Sequence, residues 1–119
     1  MVLPLLVAEV EKGPDYASRH TILARAFAGL GRKEDALRES RRAVELLPIS
    51  KDAFGGPGVE ISRAQVEARV GEKDSAVERT RYLLSIPCYL SPALLRIDPA
   101  WAPLHGDPRF RQLAELERE

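Results

Sequence analysis

Two copies of one short pattern, 40 residues apart, restrict this chain of 119 residues more than any other feature. The first copy begins at Gly31 and reads Gly-Arg-Lys-Glu-Asp-Ala-Leu, and the second begins at Gly71 and reads Gly-Glu-Lys-Asp-Ser-Ala-Val. In each copy the glycine follows an apolar, helix-like stretch, and a small alanine comes five residues later. A repeat of this length is typical of one supersecondary unit that stacks on its neighbours. The pattern therefore predicts stacked helix hairpins.

Proline supplies a second, shorter spacing. Pro14 and Pro48 each end an apolar, helix-like stretch and lie 34 residues apart. The six residues by which the first spacing exceeds the second fit within segment 49–58, which contains the run Gly-Gly-Pro-Gly. Because glycine and proline both disfavour a helix interior, we expect this segment to be a glycine-rich loop between two repeat units.

The spacing of apolar residues predicts helices along the whole chain and no strand, so the predicted fold is all-α. Asp15 and Asp107 stand where an N-cap side chain accepts a hydrogen bond from the first amides of a helix. Ser91-Pro92 starts a short helix, and turns are expected at Asp98-Pro99 and Ala102-Pro103. The remaining helices are expected over about 4–12, 15–29, 33–47, 59–70, 73–86 and 108–116.

Composition excludes several classes of function. Lys plus Arg and Asp plus Glu number 18 each, whereas a general nucleic-acid binder or a basic membrane-surface helix needs an excess of positive charge. Cys88 is the single cysteine, so an internal disulfide is excluded and a reducing compartment is expected. The apolar start, Met1 to Val10, lacks a basic flank and is too short for a signal peptide or a spanning helix. We therefore expect a cytoplasmic location, no nucleic-acid partner and no membrane partner.

The first unit reads His20-x2-Leu23-Ala24-x2-Phe27, then Ala36-x3-Ser40, then Pro48. This arrangement resembles the tetratricopeptide repeat family. His20 stands where the family favours Trp, and Ser40 where it favours an aromatic residue. The second unit keeps Ala64, Gly71 and Ala76, but has Glu67 and Thr80 at two aromatic positions.

The resemblance implies a single domain, 1–119, in which antiparallel hairpins stack as a short right-handed superhelix with a C-terminal capping helix. Its parts are a half repeat (1–14), a first repeat (15–48), the loop (49–58), a second repeat (59–87), and a tail with the capping helix (88–119).

The tail has a likeness of its own. Residues 94–104, followed by Asp107-Pro108-Arg109-Phe110, are similar to the C-terminal ends of repeat regions in large bacterial signalling proteins, such as serine/threonine kinases and adenylate-cyclase-like regulators. The likeness implies a regulatory or docking module. Trp101 and Phe110 are candidates for an anchor on a partner, but we favour packing over the last hairpin, where a repeat stack needs a cap.

Candidates for catalysis are sparse. His105 lies two residues from Asp107, which is one way to orient an imidazole, but a turn followed by an N-cap explains the same residues. We interpret His20 as a structural or solvated residue, and Cys88, among apolar neighbours, as a buried and inert thiol. With two histidines and no spaced set of carboxylates, we expect no metal, no cofactor and no enzymatic activity.

The resemblance places a peptide groove on the first helix of each hairpin. The matching candidate positions are Ser18, Thr21, Arg25, Ala28, Ile61, Gln65, Ala68 and Arg69. Arg25 and Arg69 are suited to attract a carboxylate through charge-assisted hydrogen bonds.

Three functions follow, in order of preference. The first is a protein- or peptide-binding scaffold that uses this groove. The second is a homo-oligomerisation module that forms a homodimer through its apolar residues 2–12. The third is a small-ligand protein or enzyme that uses the His105–Asp107 region.

Overall fold

A computed structural model describes residues 16–116 and, ahead of them, Pro4, Leu5, Val7 and Ala8. This part of the chain is helical and contains no strand, which confirms the predicted all-α class for the described residues. The order of elements is α1 (Ala17–Gly29), α2 (Lys33–Leu46), α3 (Gly56–Arg69), α4 (Lys73–Leu84), α5 (Pro92–Ile97), a 3-10 helix (Pro99–Leu104) and α6 (Pro108–Ala114).

Several predictions at the N-terminus lie outside the described residues. They are most of the first helix, most of the dimer segment 2–12, the break at Gly13-Pro14 and the N-cap at Asp15. The four described residues ahead of position 16 are helical, and Val7 packs against the buried apolar cluster of α1 and α2. Tyr16 occupies the N-cap position of α1 and accepts no side-chain capping bond.

The two hairpins, α1–α2 and α3–α4, turn in the same way. Gly31 and Gly71, with φ of 76° and 92°, are alone among the described residues in having positive φ. This is a backbone conformation that a residue with a Cβ adopts at a cost, so glycine is needed at both positions. The glycines that mark the repeat in the sequence are therefore also its turn residues.

Hydrogen bonds at the two turns repeat with the same offset. The amide of Arg32 donates to the carbonyl of Phe27 at 2.9 Å, and the amide of Glu72 donates to the carbonyl of Glu67 at 2.8 Å. These are the long bonds of a Schellman motif, which satisfies carbonyls left free at the end of a helix. The offset of 40 residues thus relates equivalent backbone positions in space.

Alanine allows the paired helices to approach closely. Ala24, Ala36, Ala64 and Ala76 have no exposed surface and lie at equivalent positions of the two hairpins. A larger side chain at any of these positions would push the helix backbones apart. The hairpins also contact each other, because α3 packs against both α1 and α2.

The glycine-rich segment 49–58 differs from the expected loop, because α3 begins at Gly56 and not at about Val59. Pro57 stands in the first turn of α3, where its missing amide hydrogen costs nothing. Gly56 lies so close to the preceding chain that an added Cβ would be 2.6 Å from the Cα atom of Ile49. The prediction was wrong here because it treated every glycine and proline as a helix breaker.

The tail folds back on the second hairpin. Ser91 caps α5 and Asp107 caps α6, both as predicted, while the two expected turns at Pro99 and Pro103 are parts of one 3-10 helix. Trp101 and Phe110 have no exposed surface, and their stacked rings are 5.7 Å apart in the same buried cluster as α3 and α4. Their packing role is confirmed, and neither ring is available as a surface anchor.

Candidate functional site

The largest concave feature of the described surface lies between α1, α3 and the 3-10 helix. This interhelix cavity has a volume of about 580 Å³. Its lining residues are Arg25, Ala28 and Gly29 from α1, Gln65, Val66 and Arg69 from α3, and Pro99, Ala100, Ala102 and Pro103 from the 3-10 helix.

The cavity brings together some of the predicted groove residues. Arg25, Gln65 and Arg69 all line it. Ser18 and Thr21 do not, because they lie about two turns and one turn closer to the start of α1. Ser18 is exposed, whereas the Thr21 hydroxyl oxygen is buried without a hydrogen-bond partner among the described residues.

A smaller cavity of about 180 Å³ adjoins the first and shares Arg25 and Gln65 with it. Ile61, another predicted groove residue, lies in its wall, as do Asp98 and Trp101 from the tail. The tail therefore covers part of the surface that α1 and α3 would otherwise present to solvent.

The charge of the interhelix cavity is positive and uncompensated. Arg25 and Arg69 are exposed, and neither forms an ion pair with a described residue. No acidic residue is among those that line the cavity. By contrast, the half-buried Arg79 binds two carboxylates, those of Glu60 and Glu67, at 2.9 and 2.7 Å. The two cavity arginines can donate hydrogen bonds to an anion without first breaking an internal pair.

Gln65 is the buried polar group of the cavity. It is 9% exposed, yet its amide forms no hydrogen bond with the described residues. Neither amide atom is fully enclosed, since the Thr21 oxygen is the one enclosed side-chain atom without a partner in this part of the chain. The accessible amide must therefore face the two cavities that Gln65 lines. An amide offers both a donor and an acceptor, as the backbone of an extended peptide requires.

The wall formed by the 3-10 helix was not predicted from the sequence. Pro99, Ala100, Ala102 and Pro103 contribute apolar side chains opposite the arginines. The sequence signals their turn-forming character, but no local pattern relates them to residues of α1, more than 70 positions earlier.

The histidines and the cysteine make structural contacts. The Nδ1 atom of His20 lies 2.5 Å from a carboxylate oxygen of Glu39. The Nε2 atom of His105 lies 3.1 Å from the carbonyl oxygen of Leu95 and not against Asp107. The thiol of Cys88 donates to the carbonyl of Leu83 at 3.3 Å.

Asp107 is also engaged elsewhere. Its carboxylate accepts hydrogen bonds from the side chain and the amide of Arg109, and these lower the pKa of Asp107 to about 2. Within the described part of the chain, no cluster of three or more His, Cys, Asp or Glu residues is arranged to hold a metal ion. None of its helices has the length and apolar character needed to cross a membrane.

Comparison of the chain with family models, with curated proteins and with solved structures finds no match.

Proposed function

We propose that this chain is a protein- or peptide-binding scaffold and that the interhelix cavity receives an extended segment of the partner. The observation that carries the proposal is the convergence of Arg25, Gln65 and Arg69 on one cavity without internal partners. Groups of this kind are costly to leave unpaired in a partly buried site, so a ligand that pairs them gains affinity. The role is non-enzymatic, because His105 and Asp107 are each bound to other groups.

We further propose that the two hairpins form a short tetratricopeptide-like superhelix. Three observations support this: the first helix of each hairpin lines the cavity, α3 packs on both helices of the preceding hairpin, and buried alanines recur at the contacts. The likeness of residues 94–104 to the ends of repeat regions supports a docking role in a cytoplasmic bacterial signalling protein.

The test uses an array of capped hexapeptides whose two central positions run through all pairs of amino acids, with glycine on either side. The best binder is then synthesised with a fluorescent label and titrated by anisotropy. Arg25→Ala and Arg69→Ala should each weaken its binding at least about ten-fold, since a charge-assisted hydrogen bond is lost.

Arg41→Ala is the matched control, because Arg41 is exposed on α2 and does not line the cavity. It should leave binding within about two-fold, and all three variants should unfold at similar urea concentrations. The proposal is wrong if no peptide binds saturably, or if the cavity variants bind as the Arg41 variant does.

A second candidate function is self-association through residues 2–12. Leu5, one of the described residues of this segment, is 68% exposed, and an apolar residue left in water favours a second copy as cover. Light scattering at micromolar concentrations should then show a dimer that Leu5→Glu dissociates. A strict monomer over that range excludes this candidate.

A further inference from the structure

We infer that the 3-10 helix Pro99–Leu104 is a working wall of the binding site, and that the two walls together select a peptide segment in which a carboxylate adjoins an apolar side chain. This inference rests on the proposed function. It adds a part of the site that lies outside both hairpins, and it assigns the chemistry of the ligand.

The position of this wall is set by the core. Trp101, in the middle of the 3-10 helix, is fully buried and stacks on Phe110 of α6. The carboxylate of Asp98 accepts a hydrogen bond from the amide of Ala100 at 2.9 Å and so caps the start of the helix. Because a buried Trp and an N-cap both hold the segment, the side chains next to Trp101 face the cavity from a defined backbone.

The two walls differ in chemistry. The α1–α3 wall presents the unpaired guanidinium groups of Arg25 and Arg69 and the amide of Gln65. The opposite wall presents side chains of proline and alanine, which have no charge and form no hydrogen bonds. A ligand that satisfies both walls must place a carboxylate towards the arginines and an apolar group towards the tail.

The size of the cavity agrees with a short segment. Its volume of about 580 Å³ lies in the range of roughly 300–1,000 Å³ that is typical of sites that enclose a small ligand. A few residues of extended chain fit such a space, and the Gln65 amide can pair with one peptide group of that chain.

The experiment changes the wall and leaves the arginines in place. Ala102→Asp adds a carboxylate opposite the arginines at an exposed residue of the cavity. The new carboxylate should compete with that of the peptide and weaken binding of the selected peptide at least about ten-fold. Ala93→Asp is the matched control, because Ala93 is an exposed alanine of the same tail that does not line the cavity. It should bind within about two-fold of the unchanged chain, and neither variant should shift the urea midpoint.

The peptide array supplies a second readout that a merely structural change would not move. The unchanged chain should prefer Asp or Glu beside Leu, Ile or Val, and the Ala102→Asp variant should change the preferred neighbour from an apolar to a basic residue.

Two outcomes separate the inference from the proposed function. If the arginine variants lose binding while Ala102→Asp matches Ala93→Asp and no apolar neighbour is preferred, the inference about the wall is wrong and the scaffold proposal stands. If the arginine variants bind normally, both are wrong.

Discussion

The Nδ1 atom of His20 on α1 lies 2.5 Å from the Oε2 atom of Glu39 on α2. With Glu39 ionised, the carboxylate can only accept, so Nδ1 carries the hydrogen. Forty residues later the equivalent positions hold Glu60 and Arg79, whose Oε2 and Nη1 atoms are 2.9 Å apart. The same two backbone positions thus pair the helices of both hairpins, with donor and acceptor exchanged.

This exchange distinguishes the correct helix pairs from the wrong ones. If α1 paired with α4, His20 would face Arg79, and two donors would meet. If α2 paired with α3, Glu39 would take a place beside Glu60, and two carboxylates would meet. Each hairpin therefore favours its own partner helix electrostatically, although the two hairpins have nearly the same alanine and glycine pattern.

The first prediction concerns Arg79, which binds Glu60 and the 7% exposed side chain of Glu67. Arg79→Met should lower the free energy of unfolding by roughly 3 kcal/mol, because it leaves two carboxylates close together in a partly buried site. Urea denaturation measures the change. The control is Arg81→Met on the same helix, whose pair with Glu78 is exposed and should contribute little. Equal effects of the two substitutions would show that the Arg79 network does not stabilise the fold.

The second prediction concerns Glu39. Glu39→Ala should destabilise the chain by about 1–3 kcal/mol, because the buried Nδ1–H of His20 loses this acceptor. Glu39→Gln keeps an acceptor oxygen and should cost less. A double-mutant cycle with His20→Ala measures the coupling by urea denaturation. Strictly additive effects would contradict a direct interaction between the two side chains.

The third prediction compares two glycines of α3. Gly56→Ala should destabilise the fold by about 1–3 kcal/mol, because the new Cβ would meet the Ile49 backbone at 2.6 Å. Gly58→Ala meets nothing within 4 Å and should stabilise the helix by about 0.5–1 kcal/mol. Thermal unfolding of both variants checks the opposite signs. If Gly56→Ala is also stabilising, α3 does not begin against Ile49.

The fourth prediction concerns pH. Hydrogen bonds from the Arg109 side chain, and then from backbone amides, lower the pKa of Asp107 to about 2. A carboxyl whose pKa is lower in the folded state stabilises the fold above its unfolded pKa of about 3.9 and loses that contribution as the pH falls to about 2. The side-chain carbon of Asp107, followed by NMR, should titrate in this low range. In Asp107→Asn the acid-dependent loss from this site should disappear, and an unshifted titration in the unchanged chain would contradict the cap.

Much of the local structure could be predicted because its causes are local. Asp107 followed by Pro108 marked the start of α6, and Gly31 and Gly71 marked both turns, since capping and positive φ depend on residues close in the chain. The start of α3 could not be predicted in the same way. Whether Gly56 begins a helix depends on its contact with Ile49, which a scan for helix breakers does not detect.

The candidate site was predictable in part. Arg25, Gln65 and Arg69 followed from matching each hairpin to a repeat pattern, but the opposite wall did not, because no periodicity relates residues 99–103 to α1.

By itself the sequence determined the helical class, the two equivalent hairpins and the residues that present charge on their first helices. These follow from spacing, glycine and alanine over a few turns of chain. Only the tertiary structure decided that Trp101 is buried, and hence that the tail lies against α3 and encloses the arginines in a cavity. That decision belongs to packing, because the buried apolar surface of Trp101 and Phe110 comes from residues far apart in the chain.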